Sequence, residues 1–147
     1  LTGLPNRTMF ASRFSQTLAL TQRSGHQLAL LYLDRDHFKN VYASLGHQVG
    51  DGLLIEISHR LQSVVRDEDT VSRQGGDEFV IVLYKAKTSD AVAIAERITQ
   101  QINEYQFLVK ETQVPLSISW GVAEVTEGID DAIQYADGEM YKMKQAK

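Results

Sequence analysis

The chain has 147 residues, a length at which one domain can bury a full core. Its net charge of −4 and the lack of any Lys/Arg block exclude a nucleic-acid surface built on bulk positive potential. With 43% hydrophobic and 23% charged residues, no cysteine, and no apolar run near the ~20 residues of a membrane span, the composition excludes disulfides, thiolate metal sites and membrane contact, and fits a cytoplasmic globular domain. The opening without methionine and the end inside a predicted helix read as one domain, residues 1–147, cut from a longer protein with additional domains.

In chain order, Met9, Phe10, Phe14 and Leu18 form the apolar stripe of a first helix. Leu28–Leu33 is apolar on both faces, the pattern of a central strand. A short helix is predicted over roughly Phe38–Ser44, and Leu53, Leu54, Ile57, Leu61 and Val64 stripe the next one. Thr70–Arg73 and Phe79–Tyr84 read as strands joined by Gln74-Gly75-Gly76-Asp77-Glu78, which predicts a β-hairpin. Val92, Ala95, Ile98 and Ile102 mark a further helix, and residues 106–115 a second hairpin or loop. Leu116–Val122 reads as a strand, and Ile133, Ala136, Met140 and Met143 as the closing helix. This alternation predicts an α/β or α+β domain with helices packed on a sheet.

The acidic residues carry the chemistry. Asp34 ends the central strand with Asp36 two residues on, and Asp77 and Glu78 lie at the hairpin tip. If the hairpin pairs beside the central strand, these carboxylates meet at one end of the sheet. Oxygen donors of that kind suit Mg²⁺ or Mn²⁺ holding substrate phosphates. Gly75 and Gly76 lack side chains, so a triphosphate can approach the backbone closely. The set points to phosphoryl or nucleotidyl transfer. Each feature alone has an ordinary reading, since Gly-Gly is commonly just a turn and acids at strand ends are commonly just solvated. The four histidines are scattered, which argues against a histidine metal site.

Ser72-Arg73-Gln74-Gly75-Gly76-Asp77-Glu78-Phe79 resembles the signature of GGDEF domains, which condense two GTP into cyclic di-GMP. Four more blocks resemble the family in order: Leu1–Arg7, Leu33–Lys39, Gly46–Asp51, and Ala136-Asp137 with Met140-Tyr141 and Lys144. The resemblance implies an α+β fold with a central, mostly antiparallel five-stranded sheet flanked by helices, similar to the palm of nucleotide cyclases and polymerases. It implies Asp34, Asp77 and Glu78 at Mg²⁺ or Mn²⁺, with the main-chain carbonyl of Arg35 as a further ligand. Asp77 would accept the 3′-hydroxyl proton and Glu78 assist. The amides of His37, Phe38 and Lys39 would cradle the terminal phosphates, beside Gly75 and Gly76, and Lys144 would neutralise phosphate charge. Asp51 has two readings: N-cap of a helix beginning at Gly52 or Leu53, or, by resemblance, acceptor for the guanine edge. Arg66 and Asp69 match the family's inhibitory product site, with Arg97 as an accessory contact. An arginine after a helix could also merely complement its C-terminal dipole.

One departure stands out. Tyr42 occupies the place of the family's second guanine-reading residue, an Asn, and Ala43 that of the Asp beside it. Tyrosine offers one hydroxyl on a bulky ring where the amide offers donor and acceptor together. Losing one such hydrogen bond costs about 0.5–1.5 kcal/mol, or 2- to 10-fold in affinity. Two functions follow. The first is an active diguanylate cyclase releasing pyrophosphate, working as a homodimer that need form only transiently for turnover, in second-messenger signalling and subject to allosteric inhibition by product. The alternative is a weak or inactive module that binds GTP or cyclic di-GMP and regulates an attached domain, because the style of the blocks is similar to GGDEF domains that precede an EAL phosphodiesterase domain.

Overall fold

The computed structural model describes residues 7–25, 27–35, 47–75, 78–104, 107–109, 112–114, 117–126 and 128–146. The elements are α1 (Arg7–Ser24), β1 (Leu28–Arg35), α2 (His47–Val64), β2 (Thr70–Gly75), β3 (Glu78–Tyr84), α3 (Thr88–Glu104), β4 (Phe107–Val109), β5 (Thr112–Val114), β6 (Ile118–Val125) and α4 (Ile129–Gln145). Four strands form the main sheet in the order β2-β3-β1-β6, and each neighbouring pair is antiparallel.

The apolar run of β1 needs cover on both faces, and period-two alternation divides it. Ala29, Leu31 and Leu33 pack with Phe79, Ile81 and Leu83 of β3 under α2 (Leu53, Leu54, Ile57, Leu61) and α3 (Ala91, Ala95, Ile98, Ile102). Leu28, Leu30 and Tyr32 pack with Val80, Val82, Ala123 and Val125 under α1 (Phe10, Phe14) and α4 (Ala132, Ala136, Met140). The result is a sheet between two helical layers. The start of α3 is fixed by the Asp90 carboxylate, which accepts from the Lys87 N–H at 2.9 Å, half of a capping box. No helix of the described residues is long and apolar enough to cross a membrane.

Several expectations change. The main sheet has four strands among the described residues, not five. The predicted second hairpin forms, but β4 and β5 pair with each other as a separate two-stranded ribbon instead of extending the sheet. The last strand continues to Val125, because Ala123 and Val125 keep alternating into the core. Met9 leaves the α1 stripe and is 49% exposed; Phe10 and Phe14 carry the contact, their rings 6.0 Å apart. The short helix predicted over Phe38–Ser44 lies outside the described residues.

Candidate functional site

Alternation along β1 sends Asp34 to the same face as Tyr32, towards α4, and sends Arg35 the other way. Residues directly opposite on paired strands project to one face, and Asp34 pairs with Glu78 on β3 and with Ser119 on β6. Two carboxylates therefore stand side by side at one end of the sheet. Each has a partner. Lys144 Nζ lies 3.0 Å from Asp34 Oδ2, with the two side chains 30% and 16% exposed. The Tyr32 hydroxyl donates to Glu78 Oε2 at 2.7 Å. Burial above all, then the bond to Glu78 and the charges of Glu78, Asp137 and Asp34, pushes the Tyr32 phenol well above its ordinary value, so it remains a neutral donor.

Lys144 reaches Asp34 because α4 rests directly on β6. At Gly121, paired with Tyr32, an added Cβ would stand 1.9 Å from the Ala136 carbonyl oxygen and 2.8 Å from the Met140 nitrogen. Only glycine admits a helix backbone that close. One turn further on, Met143 Sδ accepts from the Trp120 N–H at 3.4 Å. These two contacts set the last turns of α4 over the end of β1.

Arg35 is buried on the opposite face, in company with Leu33, Ile57, Leu61, Phe79, Ile102 and Ile118. Strand alternation thus projects Arg35 and Asp34 to opposite faces of the sheet. Gly75 ends β2 opposite Glu78, just after a register shift between Arg73 and Gly75. Among the described residues, nothing stands within 4 Å of a Cβ placed there. His37, Phe38, Lys39, Tyr42, Gly76 and Asp77 lie outside the described residues. Asp51 lies within α2, which begins at His47, so the reading of Asp51 as an N-cap is corrected; its side chain is not among those described.

The donor chemistry fits a hard divalent cation. Like charges opposite each other on paired strands repel, and a shared cation relieves that repulsion. Among the described residues no three His, Cys, Asp or Glu side chains form a metal cluster by themselves. Asp34 and Glu78 could supply two donors, and Asp77 precedes Glu78 in the sequence.

Arg66 and Asp69 meet at the other end of β3. Glu78 and Tyr84 bracket that strand, about 20 Å apart at the rise of an antiparallel strand. The Asp69 carboxylate, with its side chain 1% exposed, accepts from the Arg66 and Tyr84 N–H groups, each at 2.9 Å. The Arg66 guanidinium bonds the Tyr84 carbonyl and pairs with Glu68 at 3.4 Å and with Asp69 at 3.6 Å. Beside it runs an open groove of about 420 Å³ lined by Arg66, Leu83, Lys85, Ala86, Asp90, Ala93 and Ile94. Arg97 is exposed on α3, one turn beyond Ala93 and Ile94.

Tyr32 is a residue at the candidate site that sequence reasoning missed. Its signal was present: it is the one polar-tipped residue in an otherwise apolar run, two positions before Asp34 and so on the same face.

A sequence profile described as "Diguanylate cyclase, GGDEF domain" matches residues 1–147. MucR of Pseudomonas aeruginosa, a bifunctional diguanylate cyclase/cyclic di-GMP phosphodiesterase, is 37% identical over 123 residues, covering 84% of this chain and 18% of MucR. Diguanylate cyclase DgcP of Escherichia coli is 34% identical over 151 residues, covering 100% of this chain and 44% of DgcP. The chain therefore spans less than half the length of these curated relatives. The crystal structure of the GGDEF domain of TpbB from Pseudomonas aeruginosa superposes with a TM-score of 0.91 at 36% identity, covering 100% of this chain and 94% of that domain. With the signature hairpin, the paired acids and the sheet order all on one chain, the protein belongs to the diguanylate cyclase GGDEF-domain family.

Proposed function

We propose that the domain is a diguanylate cyclase, joining two GTP into cyclic di-GMP with release of pyrophosphate. The observation that carries this reading is the pairing of Asp34 with Glu78 on one sheet face with Lys144 at 3.0 Å. Asp34 and Glu78, with Asp77 and the Arg35 carbonyl, would hold Mg²⁺ or Mn²⁺; the burial of the Arg35 side chain on the opposite face supports a main-chain role. The bound cation would supply charge neutralisation at the reacting phosphates. Lys144 would exchange Asp34 for phosphate, and the lack of a side chain at Gly75 suits a triphosphate against the backbone. His37, Phe38 and Lys39 would cradle the terminal phosphates, Tyr42 and Asp51 would contact guanine, and Asp77 would take the 3′-hydroxyl proton. Each active site joins two nucleotides, so two copies of the domain face each other in turnover.

Product would bind at Arg66 and Arg97 along the α3 groove, with the buried Asp69 carboxylate fixing Arg66. The similarity to bifunctional MucR supports a parent protein in which this domain accompanies a phosphodiesterase domain. The decisive experiment incubates purified protein with GTP and Mg²⁺ or Mn²⁺. Cyclic di-GMP and pyrophosphate are expected. No product, together with GTP binding by calorimetry, would replace the cyclase with the nucleotide-sensing module that Tyr42 motivates.

A further inference from the structure

We infer that Tyr32 is a positioning residue that sets which divalent cation the site accepts, by making Glu78 a one-oxygen ligand. The inference deepens the proposed function and rests on its reading of Glu78 as a metal ligand. Three observations carry it. The Tyr32 hydroxyl donates to Glu78 Oε2 at 2.7 Å, leaving Oε1 as the oxygen that Tyr32 does not take. The contact is fixed by the sheet, because Tyr32 and Asp34 are alternate residues of β1 and Glu78 is paired with Asp34. The ring is buried between the sheet and the α1 and α4 layer, where a phenylalanine would fill the same space. Packing therefore does not require the hydroxyl, whereas a buried hydroxyl requires an acceptor.

The consequence follows from cation size. Ca²⁺ takes six to eight oxygens at about 2.3–2.6 Å and commonly engages both oxygens of a carboxylate. Mg²⁺ demands near-octahedral geometry at about 2.0–2.1 Å and is served by single carboxylate oxygens plus water. A carboxylate with one oxygen held by a phenol is a poor bidentate ligand and a well-oriented monodentate one. Tyr32 thus favours Mg²⁺ twice: it orients the oxygen that Mg²⁺ uses and occupies the one that Ca²⁺ would add. Partners of this kind shift metal affinity by about 10-fold or more when removed.

The test measures Mn²⁺ binding to the purified domain by electron paramagnetic resonance, with Mg²⁺ and Ca²⁺ as competitors, in wild type and Tyr32→Phe. Tyr32→Phe is expected to raise the Ca²⁺/Mg²⁺ affinity ratio by about 10-fold, and cyclase activity should become correspondingly easier for Ca²⁺ to inhibit. Tyr32→Met, a second donor-less variant, should give the same shift, and serves alone if Tyr32→Phe does not fold. A role in packing alone would change melting temperature without moving the ratio. An unchanged ratio in a variant that still binds Mn²⁺ overturns the inference and leaves the proposed function standing. A wild type that binds no Mn²⁺ even with a non-hydrolysable GTP analogue present removes both.

Discussion

Gly121→Ala tests how tightly the position of α4 is tied to the site. The new Cβ would stand 1.9 Å from the Ala136 carbonyl oxygen, where ordinary contact begins at 3.4 Å, so the helix must retreat by about 1.5 Å. The obstacle is helix backbone, which cannot swing aside as a side chain would. Overpacking of this kind costs about 3 kcal/mol, at the upper end of its usual range, and in a domain this size lowers Tm by about 6–12 °C. The same retreat carries Lys144 away from Asp34, now at 3.0 Å. Misplacement of about 1 Å at a reacting centre can cost 100-fold in rate, so cyclic di-GMP formation should fall by about two orders of magnitude. Gly138→Ala on the exposed side of the same helix is the control. A Cβ there meets no neighbour, so it should raise stability by up to about 1 kcal/mol. Scanning calorimetry and GTP turnover on both variants decide the matter. A Gly121→Ala protein melting within about 2 °C of wild type would refute the close approach; one that melts early yet turns over normally would refute the coupling of α4 to the site.

Tyr42→Asn should raise kcat/KM for GTP by about 2- to 10-fold through a restored guanine hydrogen bond; no gain would show that guanine fit is not limiting. Asp69→Ala should cost about 2 kcal/mol in urea denaturation, because the Arg66 and Tyr84 N–H groups lose their acceptor. If product binding by calorimetry survives that substitution, Asp69 is a structural residue only. Lys144→Met should lower turnover by about 10-fold or more through loss of phosphate neutralisation, yet cost less than about 1 kcal/mol in stability, since its ion pair is partly solvated. Chelating divalent ions should stop turnover and leave the melting temperature within about 2 °C.

Much of the fold was legible because it depends on local pattern. The double-sided apolar run of β1 declared a central strand, and the stripes at Leu53–Leu61 and Ala95–Ile102 declared helices. The beginning of α2 was not legible, since His47–Asp51 has glycines on both sides of its last residue and no apolar period; tertiary context extends the helix through them. The fifth strand was expected from the family resemblance alone, whereas the four strands read from residue pattern are the four that pair in the main sheet; three-residue strands such as β4 and β5 reveal that they will pair, but not with what. At the site, residue types were readable but partnerships were not. Lys144 and Asp34 lie at opposite ends of the sequence, and their contact depends on the close approach of α4 to Gly121, which no periodicity encodes. Asp69 was readable as an acid near an arginine, while its service to two backbone N–H groups depends on the end of β3 folding back beside it.

The arrangement of charge predicts a fold that does not depend on a metal ion even though the proposed chemistry does. Two carboxylates carried on opposite residues of paired strands, whose Cβ atoms are about 5 Å apart, repel by up to roughly 1–3 kcal/mol if the charges keep that spacing, at effective dielectric constants of 80 to 20. A domain of ordinary stability could lose much of its margin to a few such conflicts. Here the chain offsets the conflict from its own residues. Lys144 brings a positive charge to Asp34, and Tyr32 gives Glu78 a hydrogen bond without adding charge. The two remedies differ in permanence. Tyr32 sits in the buried layer of the sheet and has nowhere to go, whereas Lys144 is partly exposed near the end of a helix and can turn to an incoming phosphate. Under the proposed function, binding a cation with a nucleotide would replace one neutralised state by another, with Asp34 turning to the cation and Lys144 to phosphate. Either ligand alone leaves an imbalance, and that physical argument ties cation and nucleotide to binding together.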